Sequence, residues 1–418
     1  MGQDVARDFA HADTKLSKLG KYSKIRSCVN FHNWPRHRPL SFSKTHWLFM
    51  HVLMVSKACL VGAYQTKLEA IAKYNDIQLT VIVPPVWLDP AGPIHLERSH
   101  TNGYRLLVDP IRLNGQFHFH YYPTLKKRLA TLRPDILHMD EEPYNLATWL
   151  AVRQAEKTNV KTLFFSWQNI YQKYPFPFNF IERQVLSNVD YAIMGNQAAV
   201  DVWQKKGYTG PCQVIPQFGV RPDIFVPPVQ RDSGRGFVIG SAGRRLVPEK
   251  GVDLLLKAAA RLPGIWQLHI AGEGPARREL ERLTLELGIR DRVYFDGVIP
   301  SNEMPAYLGQ LDVLVLPSRT LPNWKEQFGR VLVEAMACEV AVIGSDSGEI
   351  GNVIGDAGLI FPEDNVDALG NRLLTLLKDP TLCRRLGREG RKRVLDHYTQ
   401  AQIAARTVEV YREMMGNG

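Results

Sequence analysis

The stretch Pro317–Cys338, PSRTLPNWKEQFGRVLVEAMAC, holds two glutamates, Glu326 and Glu334, with seven residues between them. The run entering it, DVLVLPS, is a short apolar segment that stops at a proline-punctuated loop, and it reads as a strand. The run leaving it after Gly329, RVLVEAMAC, spaces its apolar residues as a helix does. Glu326 is therefore expected in a loop at the carboxyl end of a strand, and Glu334 one or two turns into the helix that follows. Between them, Gly329, Arg330 and Val331 offer free backbone N–H groups at a helix N-terminus, which suits an anion. A carboxylate that accepts from hydroxyls, an anion cradle and a second hydroxyl-binding carboxylate together describe a sugar–diphosphate–ribose ligand. The same residues also read as a surface loop and an ordinary amphipathic helix. Corroboration has to come from the rest of the chain.

At 418 residues the chain is longer than one core usually holds, so two domains are expected. A hydrophobic share of 45% with 22% charged residues is that of a globular protein rather than a disordered one. The five cysteines, Cys28, Cys59, Cys212, Cys338 and Cys383, show neither C-x-x-C pairing nor zinc spacing. That pattern suits reduced thiols in a cytoplasmic setting. No apolar run approaches the roughly 20 residues of a spanning helix. The net charge of +10 is concentrated, since residues 1–49 carry nine basic side chains against three acidic ones. We expect this segment to be a poorly ordered basic extension with Met50 opening the fold proper. Its charge suits an anionic membrane surface, and the remaining excess suits an anionic nucleotide-sugar. Nucleic acid is not expected, because no nucleic-acid-binding motif is recognisable.

Strands and helices alternate in two series. The first starts at the strand His51–Val55 and runs through IQLTVIVPP, PDILHMD, VKTLFFSW, DYAIMGN and CQVIPQFGV, with helical patterns between them. VPPVQRDSGRG is then proline- and glycine-rich and polar, as an interdomain linker is. A second series follows with FVIGSAG, WQLHIAGEG, RVYFDG, DVLVLPS, VAVIGSD and AGLIFP, and two tail helices cover roughly residues 380–396 and 400–415. Such alternation predicts α/β domains, each a parallel sheet with helices on both faces.

Three further loops carry candidate chemistry. GRRLVPEKG (Gly243–Gly251) sets Arg244 and Lys250 on a glycine-bounded loop before a helix, a diphosphate site that needs no metal. AGEGP puts Gly272 at a strand's carboxyl end, where ligands enter open α/β sheets, although a tight turn and helix cap explains it equally. SKACLVGAY places Gly62 before the first helix, a possible close approach to an anionic ligand. No D-x-D occurs and no His/Cys cluster suggests zinc, so neither a metal nor any other cofactor is expected.

Taken together, GRRLVPEKGVDLLLKA, AGEGPARREL, EQFGRVLVEAMAC and VAVIGSDSGEI resemble the donor half of retaining glycosyltransferases of the GT-B fold. The likeness is to the large bacterial group 1 family that includes cell-envelope mannosyl- and glucosyltransferases. The resemblance implies two Rossmann-like doubly wound domains facing across a cleft, with a C-terminal helix crossing back to the first. We expect an extension over 1–49, an acceptor-side domain over 50–228, a nucleotide-sugar domain over 229–398 and the returning helix over 399–418. It implies further that Arg244 and Lys250 hold the donor diphosphate, Glu326 the transferred sugar and Glu334 the ribose. Gly272, Phe328 and the amides of Gly329, Arg330 and Val331 complete the donor site. Many members carry a functional histidine near the end of the strand that reads HMDEEP here. This chain has His138 inside that strand and Asp140, Glu141 and Glu142 after it. These residues and Gly62 are the candidates for an acceptor or sugar pocket.

The implied activity is a metal-independent hexose transfer, with retention, from a nucleoside-diphosphate sugar to a hydroxyl of a glycan, lipid or small molecule. It would serve cell-envelope or polysaccharide biosynthesis, in the cytoplasm with a peripheral contact at the inner face of the membrane. The alternatives are an epimerase or phosphorylase on the same scaffold, or a catalytically silent binding protein. Donor base, sugar, acceptor and oligomeric state stay open.

Overall fold

The computed structural model describes residues 49–90, 92–229, 234 and 236–416. The basic extension expected over 1–49, apart from an exposed Phe49, lies outside the described residues, as does the middle of the 226–236 linker.

Fifteen strands occur among the described residues. They are β1 Met50–Val55, β2 Ile77–Val83, β3 Val86–Asp89, β4 Gly92–His95, β5 Arg105–Val108, β6 Ile136–Met139, β7 Lys161–Ser166, β8 Tyr191–Met194, β9 Cys212–Val214, β10 Phe237–Arg245, β11 Trp266–Glu273, β12 Val293–Gly297, β13 Val313–Leu316, β14 Ala341–Ser345 and β15 Leu359–Phe361. One parallel sheet has the order β5-β2-β1-β6-β7-β8-β9, and a second has β12-β11-β10-β13-β14-β15. In each, the first strand sits inside the sheet and the order reverses beside it, as in a doubly wound fold. The residues of β6 and β13 are buried along their whole length, which is why ILHM and VLVL read as unbroken apolar runs rather than alternating ones. β3 and β4 form a small antiparallel hairpin, and β5 is a sheet edge. All three fall where the sequence shows no clear pattern, because hairpins and edges expose alternate residues and carry little apolar signal.

Each sheet has apolar cores on both faces. In the N-terminal lobe one face packs Met54, Val81 and Phe165, and another packs Leu53, Leu137 and Ala151. The C-terminal lobe does the same with Leu255, Leu268 and Val313 on one face, and Leu314, Met336 and Val342 on the other. The helix Pro380–His397 begins with Asp379 accepting from the Thr381 and Leu382 amides and with proline in its first turn, a strong start signal. The last helix, Gln400–Met414, leaves this lobe and joins the core of the first through Ile403, Ala404, Val408 and Tyr411. Arg412 fixes its end with two bonds to Asp76, at 2.8 and 3.0 Å. The returning helix is thus held by apolar burial along one face and an ion pair at its tip.

None of the described helices is long and apolar enough to cross a membrane. The four described cysteines form no disulfide.

Candidate functional site

The carboxyl ends of β10 and β13, neighbours at the point where strand order reverses, carry the loops that matter. After β10 the chain turns at Gly251 (φ +65°), where a side chain would run into the Pro317 carbonyl oxygen. Only glycine lets the loop that carries Lys250 lie this close to the end of β13. After β13, the loop to the helix Arg330–Ala337 carries Glu326, and Gly329 (φ +73°) caps that helix. These two loops meet directly. Lys250 Nζ donates to Glu326 Oε2 at 2.7 Å, and Ser318 Oγ donates to the same oxygen at 3.0 Å. The ammonium also stands 4.8 Å from the centre of the Trp324 ring. A cation suited to phosphate and a carboxylate suited to hydroxyls therefore share one contact, which suits a ligand whose sugar adjoins its diphosphate.

The backbone of the Glu326 loop is clamped from three directions. The Glu349 amide donates to the Glu326 carbonyl at 3.2 Å, and Gly348 (φ +59°) passes so near that a Cβ would overlap that oxygen. From the N-terminal lobe, Asn169 Nδ2 donates to the Lys325 and Glu326 carbonyls, both at 3.2 Å. Asn196 Nδ2 donates to the Gln327 carbonyl at 2.8 Å, while its Oδ1 caps the helix Gln197–Lys205. In return, Gln327 Nε2 donates to the Trp167 carbonyl at 3.1 Å. The loop is thereby fixed by both lobes, as a site built for accurate positioning requires.

A pocket at this junction is lined by Trp167, Phe218 and the run Glu326–Arg330. Glu326, Phe328, Gly329 and Arg330 thus come together, with Lys250 joined to them through Glu326. Glu334 lies further along its helix, 8% exposed, and accepts from Arg330 Nε at 2.7 Å. Burial pushes its carboxyl up, and the neighbouring Arg330 offsets part of that. The Arg330 guanidinium stands 5.3 Å from the Tyr64 ring centre, and Tyr64 stacks on Phe218 at 3.8 Å. Val331 and Gly272 stay outside the pocket lining. Gly272 (φ +135°) faces the Gly243 carbonyl so closely that a Cβ would overlap it, which gives this glycine a packing reason of its own. Arg244 is exposed at the end of β10, with no ion-pair partner among the described residues.

Two N-terminal expectations are corrected. The Gly62 amide is already taken by Glu97 Oε2 at 2.7 Å, and the space before it is filled by Ser99, so a carboxylate of the chain itself occupies that cradle. His138 is buried in β6, and its Nδ1 pairs with the Tyr411 hydroxyl of the returning helix at 2.7 Å. Burial pushes its pKa down to about 3, so the ring stays neutral and serves packing.

The three acids after β6 divide among different partners. Asp140 accepts from Ser56 Oγ at 2.5 Å and from Gln217 Nε2 at 2.9 Å. Glu141 pairs with Lys57 and faces His120 Nε2 at 3.5 Å. Burial alone would raise its pKa, but Lys57 and His120 together hold it down at about 2. Glu142 accepts from Ser166 Oγ at 2.6 Å and from the Trp167 amide at 2.8 Å. None of the three lines the pocket; they brace the loops around it. Sequence reasoning passed over Lys57, His120, Trp167, Asn169 and Asn196. The usable signal was position, since Lys57, Trp167 and Asn196 closely follow strands at the ends where open α/β sheets bind ligands.

Glu142 supplies a pH prediction. Burial pushes its carboxyl up from 4.5 to about 7, against the two donors that favour the charged form. The folded protein therefore holds this proton more tightly than the unfolded chain does. The resulting stability is complete below the unfolded value and is lost as pH rises through the folded one. Glu142→Gln should flatten the decline in Tm between pH 4.5 and about 7, read as the difference from wild type in a series of melts. Parallel Tm profiles for the two proteins would show that Glu142 does not titrate there. Glu141 acts at the other end, since its lowered pKa supports stability above 4.5 that is lost as pH falls toward about 2.

Residues 231–393 match the family model "Glycosyl transferases group 1". That match covers less than half of the chain, and over it the chain is similar to the group 1 glycosyltransferases. Among its relatives is the GDP-mannose-dependent alpha-(1-6)-phosphatidylinositol monomannoside mannosyltransferase of Mycolicibacterium smegmatis, 34% identical over 174 residues, or 40% of this chain and 45% of the relative. The chain thus spans a little under half the length of that curated relative. Two solved structures share the fold. Sucrose-phosphate synthase from Thermosynechococcus elongatus has a TM-score of 0.66 at 21% identity, covering 88% of this chain and 100% of the other. Anabaena HepE in complex with UDP has a TM-score of 0.66 at 17% identity, covering 87% and 100%. The architecture of this chain is GT-B, with two Rossmann-like lobes and the last helix returning to the first.

Proposed function

We propose that this chain moves a hexose from a nucleoside-diphosphate sugar to an acceptor hydroxyl, with retention and without a metal. The observation that carries the reading is the Lys250–Glu326 contact of 2.7 Å on two loops at the reversal point of the C-terminal sheet. In this reading, residues 229–398 bind the donor and residues 50–228 present the acceptor. Glu326 accepts from sugar hydroxyls, Lys250 and Arg244 face the diphosphate, the amides at Gly329–Val331 add donors, and Glu334 takes the ribose. The bond between the anomeric carbon and the phosphate oxygen breaks while the acceptor oxygen bonds the same carbon from the same face. The departing phosphate oxygen takes the acceptor's proton, so no separate base is needed. The two cations stabilise the charge developing on that oxygen, in a site shielded by both lobes.

Supporting the reading are the matched family region, a relative named for GDP-mannose-dependent mannosyl transfer and a structural neighbour solved with UDP. A cell-envelope acceptor and a cytoplasmic enzyme touching the inner face of the membrane belong to the same proposal, with residues 1–49 supplying the basic contact. The test is release of nucleoside diphosphate from a panel of donor sugars, with and without a cell-envelope extract, and the product's anomeric configuration read by NMR. Retained configuration with acceptor-dependent release is expected. An inverted product, or release from no donor, would overturn the proposal.

A further inference from the structure

We propose that Trp167 is a fixed platform for a pyranose ring beside Glu326, held in place by the acids Asp140 and Glu142. This inference rests on reading the cleft as a sugar-transfer site. Trp167 is held at its backbone and at its ring. Its amide donates to Glu142 Oε1 at 2.8 Å, and its carbonyl accepts from Gln327 Nε2 at 3.1 Å. Its Nε1–H donates to Gln217 Oε1 at 3.0 Å, and Gln217 in turn donates to Asp140 Oδ1 at 2.9 Å. The benzo edge packs on Gly195, where any Cβ would overlap the ring carbon Cε3, and Phe165 meets it edge-on at 5.4 Å.

Trp167 is nonetheless only part-buried and lines the pocket with Glu326, Phe218 and Phe328, the last with its ring centre 6.0 Å away. A pyranose presents C–H groups on its face and hydroxyls at its rim. The face suits a flat aromatic surface, and the rim suits a carboxylate at the pocket's edge. The two acids that do not reach the pocket thus act on it through Trp167: Glu142 through its amide, Asp140 through Gln217. The ring could belong to the donor or to the acceptor; the chemistry of recognition is the same.

The test uses the full chain and the variants Trp167→Phe, Trp167→Ala and Gly195→Ala. Calorimetry is run with UDP, GDP, UDP-glucose and GDP-mannose. Calorimetry is also run with methyl α-D-mannopyranoside and methyl α-D-glucopyranoside, with and without the nucleotide. Trp167→Ala should keep nucleoside-diphosphate affinity within about twofold and lose about tenfold in sugar binding, roughly one ring contact's worth. Trp167→Phe, which keeps a flat ring, should retain most of that binding. If the ring is the donor's, nucleotide-sugar affinity falls toward that of the free nucleotide. If it is the acceptor's, donor affinity holds and the calorimetric pyranoside binding falls. Gly195→Ala should reproduce the loss with the tryptophan still present, because the new Cβ tilts the indole. Unchanged sugar binding in Trp167→Ala overturns the proposal. So does a uniform loss of all ligands with a lowered Tm, which marks a lobe-packing role alone. Should neither nucleotide bind wild type, the transfer reading fails, and the pyranoside titration of the free protein still decides for or against the platform.

Discussion

Lys250→Ala should lower kcat/KM at least about a hundredfold, the largest single effect expected from a one-residue change in this chain. A charge-assisted bond to phosphate is worth about 1.5–3 kcal/mol in the ground state, and more where charge develops in a shielded site. The side chain is only partly buried, 26% exposed, so its ion pair with Glu326 adds little to folding stability. Tm should therefore stay close to wild type while turnover collapses. The Lys250–Glu326 contact also makes a specific demand on a double-mutant cycle. Adding Glu326→Gln to Lys250→Ala should cost much less than the sum of the single losses, because each residue positions the other. Near-wild-type turnover in Lys250→Ala would remove this lysine from the site, and strict additivity would show that the 2.7 Å contact has no part in transfer.

The second large effect is a division of labour between the two glutamates. Glu326→Gln keeps the shape of the loop but weakens the bonds that the carboxylate accepts, from Lys250 and from sugar hydroxyls. Transfer should fall steeply while affinity for the free nucleoside diphosphate barely changes. Glu334→Gln should weaken free nucleotide and nucleotide-sugar alike, by about tenfold, since both contain the ribose. Glu334 is also buried against Arg330, so its variant needs a melt beside the calorimetry. A lowered Tm with unchanged nucleotide affinity would assign Glu334 to the Arg330 pair rather than to the ligand. If Glu326→Gln lost nucleotide affinity as much as Glu334→Gln, the ligand would lie the other way round along the loop. Effects within about 0.5 kcal/mol for both would remove the two glutamates from the site.

Both tests bear on how the donor loop is held. Its ends belong to the C-terminal lobe, yet Asn169 and Asn196 of the other lobe bond three of its carbonyls. Under the proposed reading, a variant of either asparagine would therefore disturb the donor loop from the opposite lobe.

The sequence by itself determined the local features of this protein. Apolar runs ending at proline and glycine loops gave away both parallel sheets, including β1, β6, β10 and β13 with the loops after them. The helix after Gly329 and the capped helix at Pro380 were equally legible, because periodicity and caps involve residues a few positions apart. Even the stretch with Glu326 and Glu334 could be placed on a loop and a helix by spacing alone. What only the tertiary structure decided is who touches whom. Lys250 finds Glu326 across 76 positions of chain, and His138 finds Tyr411 across 273, which turns an expected pocket histidine into a core contact. Glu97 takes the amide at Gly62, and three consecutive acids part toward Ser56, Lys57 and Ser166. Such choices depend on how loops from separate strands converge and how the two lobes dock. A charged or polar side chain takes whichever partner that geometry brings within hydrogen-bond reach, and no period in the sequence records it.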